Sequence, residues 1–83
     1  MRRSSADICA DILSVAVNGA KKTHIVYKAN LNFRIVKGYI KTLVSGGLLT
    51  TEEDERYYST EKGVEFLKRY RALLVPMQAM SYT

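Results

Sequence analysis

The sequence has very little of the chemistry on which enzymes and metalloproteins usually depend. Its 83 residues include one cysteine, Cys9, and one histidine, His24. A single cysteine excludes an intramolecular disulfide, which is typical of a protein from a reducing cytoplasm. One histidine and one cysteine are also too few for a His/Cys metal site within one chain. No nucleophile has an identifiable partnering base, so we expect neither a metal nor an enzymatic activity.

Three further patterns are absent. The Gly46-Gly47 pair lacks the spacing of either nucleotide-binding fingerprint, so no glycine-rich phosphate loop is present. There is no long apolar run of the kind that enters a membrane. Asp7 and Asp11 follow the basic start Met1-Arg2-Arg3 and interrupt any apolar signal region. We therefore expect no cofactor, no small-molecule ligand, no membrane association and a cytoplasmic location.

What the chain does contain is an ordinary apolar fraction and an excess of positive charge. Hydrophobic residues make up 47% and charged residues 25%, which favours a folded chain over a disordered one. The length predicts a single domain over residues 1–83, with a core at about 4–75 and a C-terminal tail at 76–83. The formal net charge of +5 favours polyanionic partners.

The stretch from Thr23 to Leu49 predicts two helices around a tight turn. Thr23 is a candidate N-cap for a short helix that ends near residue 30, and Asn32 is a candidate N-cap for a longer one at 32–46. Gly46-Gly47 is a typical helix end. The longer helix has one apolar stripe, formed by Phe33, Val36, Ile40, Leu43 and Val44.

The other side of the longer helix is basic. At 100° per residue, Arg34, Lys37 and Lys41 fall together beside the stripe, with Gly38 and Ser45 among them. A helix that buries one face and presents a basic face after a tight turn is typical of a helix-turn-helix whose second helix enters the DNA major groove. The alternative is an ordinary surface helix whose lysines serve solubility.

The flanking segments complete a pattern of helix, helix, helix, hairpin and helix. A first helix at 4–18 begins with Ser4 and Asp7 at capping-box spacing. Two β-prone segments around the acidic turn Glu52–Glu55 predict a hairpin at 48–59. Thr60 is the candidate N-cap of a last helix, predicted at 60–75, that Pro76 should kink or end near Leu74 or Val75. The predicted core consists of Ile12, Phe33, Val36, Ile40, Leu43, Leu49, Val64 and Leu67.

Two segments resemble a known family. NLNFRIVKGYIKTLVSGGLL resembles the turn and recognition helix of winged-helix regulators, and YYSTEKGVEFLKRY resembles their wing exit and final helix. From Ile8 to Leu74 the chain is similar to small archaeal winged helix-turn-helix DNA-binding proteins, which are classed as predicted transcriptional regulators. The resemblance implies an α+β fold with a three-helix core, a two-stranded wing and a C-terminal helix.

The resemblance also implies sequence-specific binding of duplex DNA and a role in transcription regulation. The matching DNA-binding positions are Asn32, Arg34, Ile35, Lys37, Gly38, Lys41 and, on the wing, Arg56. The wing departs from the family pattern, because its four carboxylates at Glu52–Glu55 would repel phosphates. This leaves the recognition helix as the main binding element. The alternatives are a winged-helix protein-interaction module and a general chromatin-type DNA or RNA binder.

Two predictions remain open at this level. Lys21 and Lys22 precede the short helix, where they either touch a phosphate or serve as solvated connector residues. The last helix has more apolar surface than one small core needs, which predicts a homodimer. The predicted interface residues are Phe66, Leu67, Tyr70, Leu73, Leu74 and Met77. The alternative is a monomer whose last helix packs only on its own first helix.

Overall fold

The computed structural model describes residues 4–81 and the side chains of residues 4–74. Its elements follow the predicted order and confirm the predicted α+β class. Three helices, a two-stranded hairpin and a fourth helix follow one another, namely α1 (Ser5–Val15), α2 (Lys22–Ala29), α3 (Phe33–Ser45), β1 (Leu49–Thr51), β2 (Tyr57–Ser59) and α4 (Glu61–Ser81).

Local capping explains where α1 and α3 begin. The Ser4 hydroxyl accepts a hydrogen bond from the Asp7 amide at 3.1 Å, and the Asp7 carboxylate accepts one from the Ser4 amide at 3.0 Å. This reciprocal pair is the predicted capping box. At α3, the Asn32 side-chain oxygen accepts a hydrogen bond from the Ile35 amide at 2.9 Å. Each cap satisfies amides that have no partner inside the helix.

The start of α2 differs from the prediction, which placed Thr23 at the N-cap. The helix begins at Lys22, and Lys21 is its N-cap without a side-chain hydrogen bond. The reason lies in a contact with the hairpin. The Ala20 amide donates to the Tyr57 carbonyl at 3.0 Å, and the Tyr57 amide donates to the Ala20 carbonyl at 2.8 Å. This isolated β-bridge fixes the chain direction just before Lys21.

The core forms where the first three helices, the hairpin and α4 meet. Six of the eight predicted core residues are buried, namely Ile12, Val36, Ile40, Leu43, Leu49 and Leu67. Val64 is only half-buried. Phe33 was predicted to be buried, but its side chain is 50% exposed. It lies at the edge of the apolar stripe, at the first residue of α3, where the packed helices leave half of the side chain open to solvent.

The start of α4 packs closely against the hairpin and explains the Thr-Glu-Lys-Gly run. Thr60 is the predicted N-cap, since its hydroxyl accepts a hydrogen bond from the Gly63 amide at 3.2 Å. The Thr60 amide also donates to the Leu48 carbonyl at 3.0 Å. A Cβ at position 63 would collide with that same carbonyl oxygen and approach the Leu13 side chain to 3.1 Å. Glycine is therefore needed at position 63 for close approach of the two backbones.

Of the two predicted effects of Pro76, a kink or an end of the last helix, the end near residue 75 is wrong, because α4 continues to Ser81. Proline removes one helical hydrogen bond, which would have gone to the carbonyl of Ala72. Ala72 is exposed, so water can satisfy that carbonyl. The predicted tail at 76–83 is thus helical through Ser81, whereas its last two residues lie outside the described part of the chain.

Candidate nucleic-acid interface

The exposed side of α3 presents every residue that was predicted on it. Asn32, Arg34, Lys37 and Lys41 are all exposed. Gly38 lies among them, and a Cβ built there would meet no atom within 4 Å. The helix backbone is therefore open to close approach at this position. The side chain of Asn32 is partly committed, because its oxygen caps the helix.

The structure divides this surface into two sides. Lys37 and Lys41 face the hairpin and line a groove of about 340 Å³ together with Lys22, Thr51 and Tyr57. The other side faces α1. There Arg34, Ile35 and Gly38 line a groove of about 580 Å³ with Ser5 and Cys9 from α1, and the Tyr39 hydroxyl donates to the Ser5 hydroxyl at 3.1 Å. The three cations that were expected to fall together thus line separate grooves on a single exposed surface.

The hairpin tip is an ordered acidic turn. The Asp54 carboxylate accepts a hydrogen bond from the Arg56 amide at 3.0 Å and another from the Tyr58 hydroxyl at 2.9 Å. These bonds, with the nearby guanidinium of Arg56, lower the pKa of Asp54 below its usual value. The hydrogen bond from the Tyr58 hydroxyl to the Asp54 carboxylate raises the pKa of Tyr58. Asp54 therefore stays ionised at neutral pH.

Arg56, the predicted basic residue of the hairpin, is already engaged at the tip. Its guanidinium lies 3.7 Å from the Asp54 carboxylate, and both side chains are partly exposed. The surrounding side chains of Glu52, Glu53 and Glu55 are exposed as well. The tip as a whole therefore presents negative charge, as the sequence predicted, and part of the positive charge of Arg56 is balanced locally.

Comparison with known proteins identifies the fold family. The sequence profile of the winged helix-turn-helix family matches residues 2–76. The chain belongs to the winged helix-turn-helix family. Among solved structures it is similar to Sso10a-2, a DNA-binding protein from Sulfolobus solfataricus, with a TM-score of 0.83 and 26% sequence identity. The alignment covers 96% of this chain and 87% of that protein. None of the curated proteins matches.

In winged-helix terms, α2 and α3 are the helix-turn-helix, α3 is the recognition helix and the hairpin is the wing. The turn between the two helices is made by Asn30 in the left-handed conformation, with φ of 55°, followed by Leu31 and the Asn32 cap. In helix-turn-helix proteins that bind DNA, the recognition helix is the element that lies in the major groove.

The structure places three further residues beside the basic side of α3. The sequence left the roles of Lys21 and Lys22 undecided, and it wrongly predicted that Phe33 is buried. Lys21 and Lys22 lie beside the wing, where they line the same side of the domain as Lys37. Phe33 was assigned to the core, whereas its ring is exposed and the Lys22 ammonium lies 5.4 Å from the ring centroid. The exposure of Phe33 could have been predicted from its position directly after the N-cap, because the first residue of a helix often lacks a neighbour that covers it.

The structure also gives the positions of the residues that could form a metal site or a nucleophile. No three His, Cys, Asp or Glu side chains among the residues that the structure describes are grouped to hold a metal. His24 is exposed, and Cys9 is half-buried, which raises the pKa of its thiol. Within residues 4–81, no helix has both the length and the hydropathy required to cross a bilayer.

Proposed function

We propose that this chain is a sequence-specific duplex DNA-binding protein that acts as a transcriptional regulator through its recognition helix. The observation that carries the proposal is the exposed side of α3, which presents Arg34, Lys37 and Lys41 on a winged helix-turn-helix scaffold. The similarity to Sso10a-2, itself a DNA-binding protein, supports it. The net charge of +5 agrees with a polyanionic partner.

Within this proposal the residues have different tasks. Arg34 is exposed near the start of α3, and the first residues of a recognition helix are the ones that contact base edges. Arg34 would form a bidentate contact to guanine, which is the commonest specific contact between proteins and DNA. Lys37 and Lys41 would bind bases or phosphates on the wing side. Asn32, Ile35 and Gly38 would complete the surface that faces the base edges. Arg56 would contribute only from the wing, against the charge of its neighbours.

A binding titration against random-sequence duplex DNA at two salt concentrations tests the proposal. Phosphate contacts release counterions, so the affinity should fall steeply as salt rises, with a slope of about −0.9 per contact. Competition by duplex RNA then distinguishes DNA binding from general nucleic-acid binding. Selection of preferred duplexes from a random pool tests sequence specificity. Absence of salt-dependent binding to any duplex would contradict the proposal.

A protein-interaction module is the second candidate, and the acidic wing tip favours it. Winged helices can serve as docking domains, and exposed carboxylates suit a basic protein surface. The two candidates separate in the titration, because a docking module would not bind duplex DNA. In either case the proposed activity is binding without catalysis, carried out without a cofactor. A DNA-binding regulator of this kind would act in the cytoplasm.

We also propose that the active form is a homodimer joined mainly through α4. Leu73 is 65% exposed and Leu74 is half-buried, although both are apolar. Phe66 and Tyr70 are only partly buried, with ring centroids 6.3 Å apart. Leu67 does not fit the predicted interface, because it is 3% exposed and packs in the core of its own chain. The Met77 side chain lies outside the described residues.

Sedimentation equilibrium at micromolar concentrations tests the dimer. We expect a mass that approaches twice the monomer mass as concentration rises. A Leu73→Glu variant should shift the equilibrium towards monomer, because it places a charge on the exposed apolar surface. A Lys68→Glu variant on the same helix is the control for adding a carboxylate and should associate like the wild type. A monomer mass at every concentration would contradict the proposed dimer.

A further inference from the structure

A second pair of cations, Lys21 and Lys22, lines grooves next to the recognition helix. Lys21 and Lys22 follow directly after Ala20, whose backbone amide and carbonyl both form hydrogen bonds with the backbone of Tyr57 on the wing. This bridge holds the two lysines beside the wing strand. Lys22 lines the groove that contains Lys37 and Lys41, and both Lys21 and Lys22 line an adjoining groove of about 440 Å³. Thr51 and Tyr57 line both grooves.

The two adjoining grooves form one surface feature, which we call the basic groove. Its cations are Lys21, Lys22, Lys37 and Lys41. In the part of the chain that the structure describes, the ion pairs join Arg56 to Asp54 and Arg69 to Glu65, so no groove lysine is in a salt bridge there. The Lys22 ammonium lies over the exposed ring of Phe33, which orients it without neutralising its charge.

Two carboxylates of the wing tip border this groove. Glu52 and Glu55 line it beside Lys21 and Lys22, whereas Glu53 does not. The turn orders the backbone at both residues, because the Glu55 amide donates to the Glu52 carbonyl at 3.0 Å and the Glu52 amide donates to the Arg56 carbonyl at 3.1 Å. A polyanion that lies along the whole basic groove therefore meets four ammonium groups, with two carboxylates at the end lined by Lys21 and Lys22.

We propose that one phosphodiester strand of bound DNA lies in the basic groove, held by Lys21 and Lys22 as well as by the two α3 lysines, and that Glu52 and Glu55 oppose this contact and lower the affinity. The inference rests on the proposed DNA binding. It gives the acidic wing a definite role. The acidic wing tip does not bind the duplex, but it lowers the affinity of the basic groove for any polyanion.

The lysine half of the inference is tested with a Lys21→Gln/Lys22→Gln variant in the salt titration on a labelled random-sequence duplex. If each lysine makes one phosphate contact, the salt slope should decrease in magnitude by about 2. The control is a Lys28→Gln/Lys68→Gln variant. It has the same net charge, and both of its substituted residues are exposed and lie outside the groove. It should keep nearly the full wild-type slope.

The glutamate half is tested with a Glu52→Gln/Glu55→Gln variant, which should bind the same duplex roughly threefold tighter because two nearby like charges are removed. A Glu53→Gln variant should have a smaller effect. Circular dichroism verifies that each variant is folded. If the wild type binds but Lys21→Gln/Lys22→Gln matches its control, or Glu52→Gln/Glu55→Gln gives no gain, this inference fails while the proposed function stands. If the wild type binds no duplex, both fail.

Discussion

Charge reversal at both Lys37 and Lys41 should abolish binding to duplex DNA. The two lysines lie one helical turn apart on the wing side of the recognition helix and line the same groove. Glutamates there would face phosphates, and like-charge juxtaposition across an interface costs several kcal/mol. The affinity should therefore fall by about a hundredfold or more. The measurement is a fluorescence anisotropy titration at low salt, where the wild type binds most tightly.

A control must separate the position of the charges from the net charge. Each reversal changes the charge by two units, so the double variant has a net charge of +1 instead of +5. A Lys28→Glu/Lys68→Glu variant has the same net charge, and both changed residues are exposed outside the groove. It should retain most of the affinity. If the Lys37/Lys41 variant binds duplex DNA as tightly as the wild type, α3 is not the helix that meets DNA.

Truncation of Ile40 to alanine should lower the free energy of unfolding by roughly 2–5 kcal/mol. Ile40 is 4% exposed and belongs to the core cluster beside Val36 and Leu43. The truncation removes buried carbon atoms, so the free energy gained by moving them from water into the core is lost. It also leaves a cavity that the surrounding helices fill only in part. For a domain of this size, that is a large share of the total stability. Urea unfolding followed by circular dichroism measures the change.

The matched control lies on the same helix. Ile35 is 42% exposed, so Ile35→Ala removes the same atoms from a site that solvent already reaches. Its effect on the free energy of unfolding should stay within about 0.5 kcal/mol. Both variants are compared at one protein concentration, because self-association would add a concentration-dependent contribution. Equal effects at the two positions would show that the apolar stripe of α3 is not the side that faces the core.

Much of the fold was predictable because its determinants are local. Caps act within three residues, so Ser4 with Asp7 and Asn32 with Ile35 fixed two helix starts. The spacing of Val36, Ile40 and Leu43 identified the buried side of α3, because a helical period specifies a face by itself. The exposed positions of Arg34, Lys37 and Lys41 followed from the same period.

Several features depended on which elements become neighbours. Phe33 and Ile40 both belong to the apolar stripe, yet only Ile40 is covered by the packed helices. Leu67 was predicted both for the core and for a dimer interface, and it packs in the core of its own chain. The helical period reveals that a residue lies on an apolar face. It does not reveal how wide a strip of that face the neighbouring elements will cover.

The sequence by itself determined the order of the elements, the N-caps of α1, α3 and α4 and the basic side of the recognition helix. Only the tertiary structure decided that α2 starts at Lys22 and that Gly63 must lack a side chain. It also decided that Lys21 and Lys22 lie beside Glu52 and Glu55 in a groove that shares Lys22 with the groove of Lys37 and Lys41. These features join residues that are far apart in the chain, such as Ala20 and Tyr57 or Leu48 and Gly63. Contacts of this kind arise from packing of whole elements, whereas caps and periodicity arise within a few consecutive residues.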